Sequence, residues 1–302
     1  MDITLTLECN NNCVFCPRKD YLNFLVCKSE KEIAKELKKI SEKSEKVVLT
    51  GGEVTVFPDI FKILKLCQNK FKGIEIITNG RKLKDKKFLN KFISFGVNNF
   101  AVSIYSFSDK IHDAITREKG SCQETKQGII NLVEAVRLNP AKGIQARVNI
   151  TLGSANVSSV IEAIKKTNQL GIKDFTLAEE IVLSKKEKAL KLEQIKRLLD
   201  SVSKEKIGDI RILLKGFPTC LAKNYVSSFI KLEPYRLESA LNKGSRTQKY
   251  LKKFQDNFKK LKKCSSCVIN KRCLGVQKYY KDSNRFVKPI SASQMTKAKA
   301  IK

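Results

Sequence analysis

Asp2-Ile3-Thr4-Leu5-Thr6-Leu7-Glu8-Cys9-Asn10-Asn11-Asn12-Cys13-Val14-Phe15-Cys16 is the stretch on which the fold turns. Asp2 to Glu8 alternates apolar and polar side chains, the two-residue period of a β-strand. The strand hands over at once to three cysteines spaced Cys-x3-Cys-x2-Cys. Three thiolates on one short loop can wrap three irons of a cubane cluster and leave the fourth iron open to a ligand. A structural zinc site takes four protein ligands instead. Cys9, Cys13 and Cys16 at the end of a strand therefore read as a reactive iron–sulfur centre.

Outward from this stretch, short β-like runs alternate with helical ones. Residues 29–41 (SEKEIAKELKKIS) put Ile33, Leu37 and Ile40 on one helical face. KVVLT (46–50) is a second strand and runs into Gly51-Gly52; a short helix over 59–66 follows Pro58. IEIIT (74–78) is a third strand, closed by the turn dipeptide Asn79-Gly80. A helix over 85–95, a strand over 100–105 (FAVSIY), a helix over 124–136 and a strand over 145–152 continue the rhythm. A helix over 157–170, with Gly171 where a C-cap favours glycine, and a strand over 174–177 complete it. Six strand–helix repeats with right-handed crossovers imply a parallel sheet. Eight would close a barrel. The expected fold is α/β, a partial (βα)6 TIM-like barrel with a small C-terminal cysteine-rich extension, and chemistry belongs at the C-terminal strand ends.

After a long basic helix over 185–202 the rhythm breaks, and 210–214 reads as one further strand. The expected organisation is a core over 1–207, an extension over 208–287 and a disordered, lysine-rich tail over 288–302. The extension holds Cys220 and the group Cys264-x2-Cys267-x5-Cys273. Four cysteines make a complete ligand set, and zinc and iron–sulfur sites both use such spacing. Cys27, Cys67 and Cys122 are expected as small buried apolar residues.

The 302 residues are 42% apolar, enough for a sizeable core, and 30% charged. The N-terminus lacks a signal-like apolar run, and no segment approaches the roughly 20 apolar residues of a membrane helix. A cytoplasmic chain without membrane association is expected, and clustered cysteines there bind metal rather than form a disulfide framework. The net charge is +30, and residues 201–302 carry 25 Lys/Arg against 6 Asp/Glu. That asymmetry admits a nucleic-acid partner, while 49 lysines against 11 arginines fit a compositional bias equally well.

The cysteine triplet, with aromatic Phe15 just before its last member, resembles the signature of the radical S-adenosylmethionine (SAM) superfamily, and the resemblance extends over about residues 2–179. It implies a 4Fe–4S cluster on Cys9, Cys13 and Cys16 whose open iron chelates SAM, and a 5′-deoxyadenosyl radical that abstracts hydrogen from a substrate. Thr50-Gly51-Gly52-Glu53, one strand later, matches the motif that grips the SAM amino group. Glycines let a backbone approach a ligand closely, and a carboxylate accepts from an ammonium. Phe15, Asn79, Ser103, Arg117 and Asn149 are further expected cofactor contacts. Ile104-Tyr105 stands where the family usually has Leu-Asp, a departure at the neighbouring substrate contact. His112, the single histidine, lies in IHDAITREKGS, which echoes a family stretch, and is expected as a structural helix-end residue.

By the same resemblance, Cys220, Cys264, Cys267 and Cys273 match the auxiliary-cluster extensions called SPASM and twitch. A full SPASM domain needs another cysteine at 277, where Gln277 stands, so a twitch-like extension with one auxiliary 4Fe–4S cluster is expected, with a zinc knot as its alternative. The implied partners are a reducing donor such as ferredoxin or flavodoxin and a peptide or protein substrate. Alternatives are a nucleotide or tRNA substrate, and an iron–sulfur electron carrier or redox-sensing binder without SAM chemistry. The molybdenum-cofactor cyclase of this family ends in two glycines, unlike Ala300-Ile301-Lys302.

Overall fold

The computed structural model describes residues 1–16, 28–180, 190–205, 207–225, 230–233, 255–271 and 273–292. It divides into two compact units: Met1–Asn149 with Gln169–Ile172, and Ile150–Asn168 with Lys173–Lys302.

In the first unit, β1 (Asp2–Thr6), β2 (Lys46–Gly51), β3 (Gly73–Thr78), β4 (Val97–Ser103) and the first half of β5 (Gln145–Leu152) pair in chain order, all parallel. Between them run α1 (Glu30–Ser41), α2 (Ile60–Gln68), α3 (Lys86–Ser94), α4 (Asp109–Thr116) and α5 (Ser121–Leu138). Alternation in the strands buries Ile3 and Leu5, Val47 and Leu49, Ile74 and Ile76. Ser29 caps α1 in a reciprocal capping box with Glu32, and the buried face of that helix is Ile33, Leu37 and Ile40. Each such fully buried aliphatic side chain is worth roughly 1.5–3 kcal/mol of transfer free energy. Asp85 caps α3 by accepting from the amides of Lys87 and Phe88. Gly128 lets α5 press on the turn after β3, since a Cβ there would lie 2.2 Å from the Gly80 carbonyl oxygen.

The helix at 109–116 was not part of the sequence expectation. Its eight residues follow a strand that ends at Ser103, earlier than the expected 105, so Tyr105 sits on the connection between them. Cys67 and Cys122 are fully buried, as the sequence implied, while Cys27 lies outside the described residues.

In the second unit, β6 (Asp174–Glu179), β7 (Arg211–Lys215) and β8 (Ile230–Glu233) are parallel neighbours, so parallel pairing continues past the six strands expected. This unit also holds α6 (Val160–Gln169) up to Asn168 and α7 (Leu192–Lys204). Residues 185–189 of the expected basic helix lie outside the described residues. The short strands β9 (Phe258–Lys259) and β10 (Val276–Gln277) pair antiparallel. Two side chains tie this C-terminal part together. Asp282 accepts from the amides of Leu192 and Glu193 at the start of α7. Buried Glu179 accepts from Gln277 Nε2 at 2.7 Å and from the Tyr280 hydroxyl. Burial pushes the Glu179 carboxyl up to about 8 against the pull of those two donors. Residues 288–292 of the expected tail lie within the described residues, with Ile290 buried. Among the described residues, no helix is long and apolar enough to cross a membrane.

Candidate functional site

The first unit carries the N-terminal cysteines where β1 ends. Two amides of that loop, Asn12 and Val14, donate at 2.8 Å to the carbonyls of Thr116 and Ile115 at the C-terminus of α4. Those carbonyls have no acceptor role left inside the helix, so the loop satisfies them and is held in return. Arg81 clamps the same loop from another side. Its Nη1 donates to the Asn10 carbonyl and to Asn11 Oδ1 (2.9 Å), and its Nε donates to Glu124 at 2.6 Å. The Asn11 amide donates to Cys9 Sγ at 3.3 Å. Cys13, 9% exposed, has its sulfur 3.8 Å from the Tyr105 hydroxyl.

Burial pushes the Cys13 thiol up to about 11; the contact with Tyr105 opposes this, and the neighbouring Cys16 and Cys9 add to it. The three sulfurs belong to one eight-residue stretch, close enough to act on one another electrostatically. Such a thiol is a poor free nucleophile, and a thiolate here asks for compensating positive charge, which a metal centre supplies. Among the described residues no three His, Cys, Asp or Glu side chains stand in the geometry of a single metal ion. A cubane does not require that geometry, because each cysteine takes its own iron.

Gly51, Gly52 and Glu53 lie at the end of β2, beside this loop. The near neighbour of Gly52 is the chain's own backbone: a Cβ there would meet the Glu8 carbonyl oxygen at 2.0 Å, and one on Gly51 would meet the Thr6 oxygen at 2.4 Å. The Glu53 amide donates to the Glu8 carbonyl at 2.8 Å. The Glu53 side chain, 1% exposed, turns inward. Its Oε1 accepts from the Thr55 amide, the Thr55 hydroxyl and the Thr78 hydroxyl, and its Oε2 from the Asn79 amide at 2.6 Å. Burial raises its pKa, and the four donors pull the other way.

Asn79 follows β3 and bridges to the cysteine loop, donating from Nδ2 to Asn10 Oδ1 at 2.7 Å. Ser103, the last residue of β4, is paired with Asn149 in the middle of β5. Asn149 Oδ1 accepts from Arg147 Nε at 3.3 Å. Arg117 caps α4 in the left-handed region (φ 57°) with its side chain exposed, and among the described residues it has no partner in the site. Phe15 is buried, its ring edge-on to Tyr105 at 4.9 Å. The structure thus gathers Cys9, Cys13, Cys16, Phe15, Gly51, Gly52, Glu53 and Asn79 around one loop, while Ser103 ends β4 and Asn149 lies beside it within β5.

Sequence reading missed Arg81, Thr55, Thr78 and the Tyr105 contact. Only the Asn79-Gly80 turn, which aims Arg81 back at the loop, was visible as a signal. His112 is a core residue rather than a helix-end one. Its Nδ1 accepts from the Tyr105 amide at 3.2 Å, which leaves the proton on Nε2. Among the described residues Nε2 finds no partner. Burial depresses its pKa to about 4. Stability from the neutral ring is therefore complete above pH 6.5 and lost as pH falls through 4, roughly 3 kcal/mol in all. As this is the only histidine, its ring proton NMR titration is unambiguous, and a midpoint near 4 is expected. A midpoint near 6.5 would show an exposed ring and refute the packing.

In the second unit, Cys220, Cys264, Cys267 and Cys273 line one cavity together with Pro218, Val276 and Pro289. Burial raises Cys220 and Cys273, and the other cysteines of the set add to it. The Ile290 amide donates to Cys267 Sγ and the Gly275 amide to Cys273 Sγ, both at 3.3 Å. Position 277, where a second auxiliary cluster needs a cysteine, is buried Gln277 bound to Glu179, so that position serves packing.

The first unit has the layout of a parallel-stranded α/β enzyme core with its reactive groups at the strand ends. The radical SAM superfamily profile matches residues 3–143, and the members of that superfamily are SAM-dependent iron–sulfur enzymes using a 4Fe–4S cluster. A probable GTP 3′,8-cyclase of Thermococcus kodakarensis is 30% identical over 56% of this chain and 53% of its own length. The antilisterial bacteriocin subtilosin biosynthesis protein AlbA of Bacillus subtilis is 25% identical over 57% of this chain and 37% of its own. The chain thus spans about half, or less, of these curated relatives. The solved structure of anSMEcpe with bound AdoMet and Cp18Cys peptide aligns with a TM-score of 0.60 at 14% identity, covering 99% of this chain and 94% of that one. It shares the fold, the partial barrel of parallel strands.

Proposed function

We propose that the protein is a radical SAM enzyme that modifies a peptide or protein side chain. The observation that carries this reading is the convergence of the three thiols, Phe15, the Gly51-Gly52-Glu53 turn and Asn79 around one loop. Cys9, Cys13 and Cys16 would ligate the cluster. Gly51, Gly52 and Glu53 would meet SAM with main-chain atoms, because the Glu53 carboxylate already serves Thr55, Thr78 and Asn79. Phe15, Asn79, Ser103, Asn149 and Arg117 would border the cofactor. A cluster held there would supply one-electron reductive cleavage of SAM, with the electron coming from a ferredoxin- or flavodoxin-class donor, and so the means of hydrogen abstraction from the substrate. The chain's part is to hold the loop through Arg81 and α4. Cys220, Cys264, Cys267 and Cys273 would hold an auxiliary cluster in a twitch-like extension over 208–287. AlbA's role in bacteriocin biosynthesis and the peptide bound to anSMEcpe support the peptide class.

The test is reduction of the anaerobically reconstituted protein with SAM, followed by quantification of 5′-deoxyadenosine and methionine. No cleavage overturns the reading. Cys267→Ala is expected to keep cleavage and lose about half the iron, one cluster of two. Unchanged iron with release of zinc would make the second site a zinc knot. Deuterium should enter 5′-deoxyadenosine from a labelled cellular peptide fraction. Label arriving only from the nucleotide or tRNA fraction overturns the substrate class.

A further inference from the structure

The Tyr105 hydroxyl stands against a sulfur of the cysteine loop. Its oxygen lies 3.8 Å from Cys13 Sγ, within reach of a hydrogen bond to sulfur. The ring is held from several sides. The Tyr105 amide is fixed on His112 Nδ1 at 3.2 Å, and its ring stands edge-on to Phe15 at 4.9 Å. The His112 ring lies 5.4 Å away on the buried side of α4. Phe15 belongs to the cysteine loop itself, so ring and sulfur are set relative to one another by one short segment.

Direction follows from the chemistry. A thiolate ligand has no proton and can only accept, and a neutral phenol has one to give. A hydrogen bond to a ligand sulfur disperses its negative charge, which favours the more electron-rich, reduced state of the cluster. We propose that the Tyr105 hydroxyl donates a hydrogen bond to the ligating Cys13 sulfur and thereby raises the reduction potential of the cluster held by Cys9, Cys13 and Cys16. This rests on the cluster assignment above and adds to it a positioning residue that acts through a ligand.

The experiment is an EPR-monitored redox titration of the reconstituted full chain, following the signal that changes when SAM is added. That criterion separates this cluster from any other in the protein. In Tyr105→Phe, which keeps the ring and removes the donor, the ratio of reduced to oxidised cluster at fixed potential is expected to fall about tenfold, equal to about 59 mV for a one-electron couple. Installing 3-fluorotyrosine at position 105, a stronger donor of nearly the same shape, is expected to shift the midpoint the opposite way. If Tyr105→Phe loads no cluster, the fluorotyrosine protein decides alone. Midpoints unchanged in every variant that loads the cluster overturn the proposal and leave the cluster assignment standing. A parent protein with no SAM-responsive signal overturns the assignment, and the role of Tyr105 with it.

Discussion

Cys13→Ala is expected to abolish SAM cleavage while leaving the protein folded. Cys13 is the middle and most buried member of the triplet, so its loss leaves two separated thiols that cannot hold a cubane. The rate of 5′-deoxyadenosine formation should drop by about 1,000-fold or more, equal to about 4 kcal/mol of barrier. The loop keeps its scaffold, since the Asn12 and Val14 amides bind Thr116 and Ile115 through main-chain atoms that the substitution leaves alone. A melting temperature within a few degrees of the parent apoprotein, together with lost cleavage, separates a ligand from a packing residue. Retained cleavage in the alanine protein would remove Cys13 from the site.

Gly52→Ala is expected to damage the fold before it affects any ligand. A Cβ at this position meets the Glu8 carbonyl oxygen at 2.0 Å, and that carbonyl also accepts the Glu53 amide. Neither backbone can yield without breaking the junction of β1 and β2. Overpacking against main chain costs about 3 kcal/mol, seen as a melting temperature lower by roughly 5–10 °C. Cluster loading should fall with it, because Glu8 immediately precedes Cys9. An unchanged melting point with weaker SAM binding would return Gly52 to the role of a ligand-facing glycine.

These two sites show unequal legibility. The cysteine spacing was readable because all three cysteines sit within one short loop, and spacing that short survives any packing. The strands were readable for the same reason: Ile3 and Leu5, or Val47 and Leu49, declare a period of two on their own. Gly51-Gly52-Glu53 was found as a motif and its physics was not. Glycine there admits the chain's own Glu8, and the Glu53 carboxylate looks inward to Thr78 and Asn79, 25 and 26 residues away. His112 was recognised as structural, but its burial depended on where Tyr105 came to rest. The helix at 109–116 was hidden because its buried face is His112, Ile115 and Thr116, with Ile115 the one large apolar residue among them.

Sequence alone determined the parallel α/β plan and both cysteine groups, because these follow from periods and spacings within a few residues. Tertiary structure alone decided what surrounds the first group. Arg81 reaches Asn10 across 71 residues, and Tyr105 reaches Cys13 across 92. Such partners share no local pattern; they meet only when parallel strands bring their C-terminal ends side by side, and a hydrogen bond that depends on tenths of an ångström cannot be read from the order of residues.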